Sequence, residues 1–172
     1  MKKILVYGFG KYFTFSENIT EKILSRFAET KNISTHIFKV EFDKEMFLKK
    51  IARENPDIVI GLGQMPAKRR RKMRIERKAY NLQTAREFPN RKPKKISTTG
   101  AEYRFVNLKL PKSSQTVINY NPGRYVCNYS MYVISEYMEL RGGQFAFIHI
   151  PVGYDIDSAV NYLTRLTKRL ST

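Results

Sequence analysis

The sequence predicts an α/β fold, specifically a three-layer α/β/α sandwich with a mostly parallel central sheet. Short continuous apolar runs, the mark of strands buried on both faces, recur at residues 3–9, 57–63 and 145–151. Between the first two lie segments whose apolar residues return every three or four positions, as on one face of a helix. The order strand, helix, strand, helix, strand requires right-handed crossovers, which give a largely parallel sheet with helices on both sides. At 172 residues, 42% of them hydrophobic, the chain is read as one domain, 1–172, around a single core.

The first apolar run closes on Gly8-Phe9-Gly10, a strand entering a loop. After an aromatic loop (Tyr12, Phe13, Phe15), Asn18 is placed to cap a helix with a buried stripe of Ile19, Ile23, Leu24 and Phe27. Residues 35–42 alternate as a second strand, and a helix over 43–54, carrying Met46, Phe47 and Ile51, ends at Asn55-Pro56. A third strand follows, closing on Gly61-Leu62-Gly63. The middle is less regular. Residues 73–82 read as a strand, 83–101 as a polar excursion containing proline, and 103–110 as extended. A short run, Thr116-Val117-Ile118-Asn119-Tyr120, passes through a Pro-Gly turn into a helix with its stripe at Val126, Tyr129, Val133, Tyr137 and Leu140. The strand at 145–151 ends in Pro151. Asp155 then caps a last helix with Ile156, Val160, Leu163, Leu166 and Leu170 on its buried face.

Composition narrows the function classes. No apolar run is long enough to span a bilayer, so no membrane contact is expected, and the N-terminal run ends at Gly8 without the pattern of a signal peptide. A single cysteine forms no internal disulfide, which fits a reducing, cytoplasmic setting. The net charge of +17 is concentrated in residues 68–78 and 91–95. These segments are expected either to be solvated or to make a weak contact with nucleic acid or another polyanion.

In an open α/β sheet, ligands bind at the carboxyl ends of the strands. Cys127 falls in the first turn of the helix after the Pro-Gly turn, where unpaired N–H groups and the helix dipole favour a thiolate. Taken without partners, the same residue also suits a small buried hydrophobe. His149 lies at the carboxyl end of the strand that follows this helix, which places an imidazole near the thiol. A Cys–His pair is the minimal activated nucleophile, and a third group, commonly a carboxylate, orients the imidazole. Glu76 is conspicuous as a lone acid within the basic 68–78 run. Two histidines and one cysteine argue against a three-ligand zinc site, and no cofactor or metal is expected.

Four blocks, in order, resemble the pyroglutamyl peptidase I (pyrrolidone-carboxylate peptidase) family of cysteine peptidases. They are Gly8-Phe9-Gly10-Lys11-Tyr12 with Asn18-Ile19-Thr20; Glu76-Arg77-Lys78-Ala79-Tyr80-Asn81 with Ala85-Arg86; Gly123-Arg124-Tyr125-Val126-Cys127-Asn128; and Phe147-Ile148-His149-Ile150-Pro151. The resemblance implies a peptidase that removes an N-terminal pyroglutamyl group from blocked peptides and that can assemble as a homo-oligomer. It implies Cys127 as nucleophile, His149 as acid–base, Glu76 as orienting carboxylate and Arg86 near the developing oxyanion. Phe9, Tyr12, Tyr125 and Val126 would line a slot for the flat ring, with Gln64 as counterpart of a glutamine that contacts the ring amide. The chain departs from the family pattern at Tyr12, Ile19, Glu87 and Arg124, and a helix of the family between residues 110 and 116 is expected to be absent. The alternative is a relative of weak or no activity that holds a polyanion through its basic segments.

Overall fold

The computed structural model describes residues 1–12, 15–67, 72–84 and 92–172. A six-stranded sheet has the order β2-β1-β3-β8-β4-β7, formed by β1 (Ile4–Phe9), β2 (Ile33–Phe38), β3 (Ile58–Met65), β4 (Met73–Glu76), β7 (Thr116–Asn119) and β8 (Gln144–Pro151). β5 (Lys78–Tyr80) and β6 (Tyr103–Phe105) make a separate antiparallel ribbon. Within the large sheet every pairing is parallel except β4 against β8.

Alternation along β1 builds the two cores. Ile4 and Val6 face a layer that contains Ile19, Ile23 and Leu24 of α1 (Ile19–Arg26) and Leu163 and Leu166 of α4 (Ile156–Ser171). Leu5, Tyr7 and Phe9 face the opposite layer, which contains Phe47 and Ile51 of α2 (Lys44–Glu54) and Met131, Val133 and Ile134 of α3 (Val126–Leu140). The result is the expected three-layer sandwich. Residues Ile4, Leu5, Val6 and Tyr7 are all fully buried, and each side chain of this size contributes about 1.5–3 kcal/mol on burial.

The caps follow local chemistry. Asn18 Oδ1 accepts from Thr20 N at 3.0 Å, Asp43 Oδ1 from Met46 N at 3.1 Å and Asp155 Oδ1 from Ser158 N at 2.8 Å. Asn55, in the left-handed conformation with φ 49°, ends α2.

Several boundaries differ from the sequence reading. β2 runs from Ile33 to Phe38, so Val40 and Phe42 lie in the following loop, where they pack against the α2/α3 core. The stretch 73–82 is two strands, β4 in the large sheet and β5 paired with β6, with Arg77 between them, its carbonyl accepting from Val106 N at 3.1 Å. Only Tyr103–Phe105 of 103–110 is a strand. Leu140 is 84% exposed, whereas Met131 and Ile134 are fully buried, because α3 is enclosed on more than one face rather than carrying a single stripe. No helix lies between Leu110 and Thr116, as expected. Among the described residues no helix is long and apolar enough to cross a membrane.

Candidate active site

The site forms where β3, β4 and β8 lie under the N-terminus of α3. In the parallel β3–β8 ladder Gly63 is opposite His149, and in the antiparallel β4–β8 ladder His149 is opposite Arg74 while Phe147 is opposite Glu76. Directly opposed and alternate residues share a face, so Gly63, His149, Glu76 and Phe147 all point toward α3. Glu76 therefore sits diagonally from His149, within reach of a side chain of its length. The separation of His149 Nδ1 from Glu76 Oε1 is 2.8 Å, with Nδ1–H donating to the fully buried carboxylate. The ring of Phe147 meets the imidazole edge to face, with centroids 5.1 Å apart.

β3 makes room for this arrangement by having glycines on the crowded face. A Cβ on Gly63 would lie 2.9 Å from Cys127 Sγ and 2.9 Å from His149 Nε2, so the thiol and imidazole occupy the space a side chain would need. Gly61 does the same two residues earlier, where a Cβ would meet Phe147 and Tyr7 within 2.6 Å.

Cys127 is delivered by the turn after β7. Gly123 has φ +84°, a conformation that favours glycine, and its N–H donates to Asn121 Oδ1 at 3.1 Å. α3 then begins with Tyr125 as N-cap, which contributes no side-chain capping bond, and Cys127 stands in the first turn, partly exposed. Its sulfur faces His149 Nε2 across the space above Gly63. Burial works against an imidazolium here. The charge of Cys127 and its hydrogen bond, reinforced by the hydrogen bond and charge of Glu76, outweigh it and raise His149 from 6.5 to about 10.

Beside the pair opens a cavity of about 880 Å³. Phe9, Tyr12, Gln64, Tyr125 and Val126, all expected at a substrate slot, line it together with Cys127 and His149. Tyr12 and Tyr125 lie with ring centroids 6.2 Å apart, and Phe42 braces Tyr125 edge on at 5.6 Å. Gln64 is 6% exposed. Its Oε1 accepts from Ile19 N at 2.8 Å, while its Nε2 has no hydrogen-bond partner among the described residues. Arg86 lies outside the described residues, as does some of each basic segment. Of the basic residues that are described, Arg77 donates to Leu110 O, and the Lys78 ammonium sits 3.8 Å from the centroid of Tyr103. Among the described residues no group of His, Cys, Asp and Glu is arranged to hold a metal ion.

Three residues were missed in the sequence. Asn119 Nδ2 donates to Glu76 Oε2 at 2.6 Å. Asn128, fully buried, accepts from Tyr80 N at 2.8 Å and donates to Tyr80 O and Leu82 O, locking the segment after Glu76 onto α3. Arg74, opposite His149, lines the cavity. The available signals were a polar residue ending the apolar run at 116–119 and an asparagine directly after the cysteine.

The family model described as pyroglutamyl peptidase matches residues 2–160. The pyrrolidone-carboxylate peptidase of Thermosipho melanesiensis is 36% identical over 122 residues, covering 61% of this chain and 58% of its own length. That of Saccharolobus islandicus (strain Y.N.15.51) is 27% identical over 171 residues, covering 87% of this chain and 79% of its own. Among solved structures, the pyrrolidone carboxyl peptidase of Thermococcus litoralis superposes with a TM-score of 0.74 at 25% identity, over 88% of this chain and 77% of its own. Pyroglutamyl peptidase I of Bacillus amyloliquefaciens superposes with a TM-score of 0.81 at 22% identity, covering 95% and 93%, a likeness of fold.

Proposed function

Because the chain belongs to the pyroglutamyl peptidase family, we propose that it is a cysteine peptidase that releases an N-terminal pyroglutamyl group from peptides through a thioester acyl-enzyme. The observation that carries this reading is that Cys127 Sγ and His149 Nε2 share the space above Gly63 while Glu76 holds His149 Nδ1, at the wall of an open cavity.

In this reading the Cys127 thiolate attacks the carbonyl carbon joining pyroglutamate to the next residue, and the carbonyl π electrons move onto oxygen. First-turn N–H groups of α3, left uncapped by the Tyr125 side chain, steady the oxyanion. The tetrahedral intermediate collapses, breaking the C–N bond, as His149 gives its Nε2 proton to the departing amine. A water then loses a proton to His149 and attacks the thioester. Free pyroglutamate leaves, and the proton on the ring again balances the charge on sulfur. Glu76 holds the imidazole in the orientation both transfers need.

The ring enters between Phe9 and the aromatic wall of Tyr12 and Tyr125. The buried Gln64 Nε2 supplies a donor for the ring carbonyl, which offsets the cost of leaving that amide unpaired. The direct test is release of pyroglutamate from a pyroglutamyl amide by the wild type and by folded Cys127→Ala and His149→Ala. Both variants are expected to lose turnover, and retention of wild-type turnover in either would overturn the proposal.

A further inference from the structure

Glu76 has two carboxylate oxygens and no exposure to solvent, so both oxygens need partners from the protein. Oε1 takes the proton of His149 Nδ1. Oε2 accepts from Asn119 Nδ2 at 2.6 Å, and the same nitrogen donates to Asn121 O at 2.8 Å. An amide nitrogen has two hydrogens, and Asn119 spends both. One holds the carboxylate and the other holds the turn that leads to Cys127. Asn119 is opposite Glu76 in the parallel β4–β7 ladder, and its own carbonyl accepts from Arg77 N at 2.8 Å, so its backbone is fixed from the strand that carries Glu76.

We infer that Asn119 is a positioning residue that ties the Glu76 carboxylate to the Asn121–Gly123 turn, setting carboxylate, imidazole and thiol in one register. The inference rests on the proposed roles of Cys127, His149 and Glu76. Asn119 does not touch the reacting atoms; it acts through Glu76. Without its amide, Oε2 is left buried and unpaired, the carboxylate is able to rotate away from the imidazole plane, and the turn loses one of its ties to the sheet.

The test uses the full chain with a pyroglutamyl amide as substrate, comparing wild type, Asn119→Ala, the isosteric Asn119→Asp and the control Glu76→Gln. Asn119→Ala is expected to lower kcat by about tenfold to a hundredfold, the scale of one hydrogen bond to a charged group, with KM little changed. Asn119→Asp keeps the side-chain shape while setting a second carboxylate against Oε2, and is expected to lose kcat at least as strongly. The readout that a merely structural role would not move is the low-field proton resonance of His149 Nδ1–H, which shifts in both Asn119 variants while their far-ultraviolet circular dichroism stays that of the folded wild type. Wild-type kcat and an unshifted resonance in the Asn119 variants, with Glu76→Gln impaired, overturn the inference alone. Full activity in Glu76→Gln overturns it by removing the role of the carboxylate it supports, and the two failures are told apart by that control.

Discussion

Gly63 and His149 stand opposite each other in the β3–β8 ladder, and the hydrogen at Gly63 where other residues have Cβ leaves the volume in which Cys127 Sγ and His149 Nε2 meet. A Cβ there would approach three atoms of the pair to 2.8–2.9 Å, closer than real Cβ atoms come. The glycine is therefore a condition of the thiol–imidazole contact.

Gly63→Ala is accordingly expected to separate thiol and imidazole while leaving the rest of the sheet in place. A misplacement on the order of 1 Å in such a site costs about a hundredfold. We expect kcat/KM for a pyroglutamyl amide to fall by about that factor, with far-ultraviolet circular dichroism unchanged. Wild-type kinetics in folded Gly63→Ala would mean that the contact is not needed.

The titration of His149 gives a second expectation. Its pKa is raised from 6.5 to about 10, so the folded protein holds this proton more tightly than the unfolded chain. Its contribution to stability is full below about 6.5 and is lost as pH rises to about 10. Ring nitrogen shifts of His149 should remain those of an imidazolium through pH 8, and stability should decline from near-neutral pH toward pH 10. In Cys127→Ser the leading charge that raises the ring is gone and burial dominates, so the titration moves to lower pH. A wild-type His149 that titrates near its ordinary value would contradict this expectation.

In the proposed reading, Gln64 serves binding rather than chemistry. In Gln64→Glu the oxygen that accepts from Ile19 N is retained, so the start of α1 stays capped, but the donor at Nε2 is lost. KM for a pyroglutamyl amide is expected to rise by about tenfold or more, the scale of a buried acceptor left without its donor, with a smaller change in kcat. An unchanged KM would place the ring elsewhere in the cavity.

Much of this site was legible in the sequence because it depends on short-range signals. The buried runs gave β1, β3 and β8, the Pro-Gly turn gave the start of α3, and these bring Cys127 and His149 to one edge by topology alone. Glu76 was distinguished by being acidic in basic surroundings, although its approach to His149 depends on β4 running antiparallel to β8, which no local pattern announces. Asn119 and Asn128 were illegible for a related reason. Their partners lie 43 and 48 residues away, and an asparagine near a helix start reads as a turn or cap residue until the strands that flank it are known. The β2 boundary differs because Val40 and Phe42 continue an alternating pattern beyond the ladder, being held by packing against the α2/α3 core rather than by strand pairing.

The central claim is that Cys127 carries the acyl group. Acid-quenching the wild-type enzyme during turnover of a pyroglutamyl amide and measuring the intact and peptide masses tests it directly. The expected result is one pyroglutamyl group on the peptide that contains Cys127, removable by hydroxylamine, and no turnover by folded Cys127→Ala. Turnover by Cys127→Ala at the wild-type rate would contradict it.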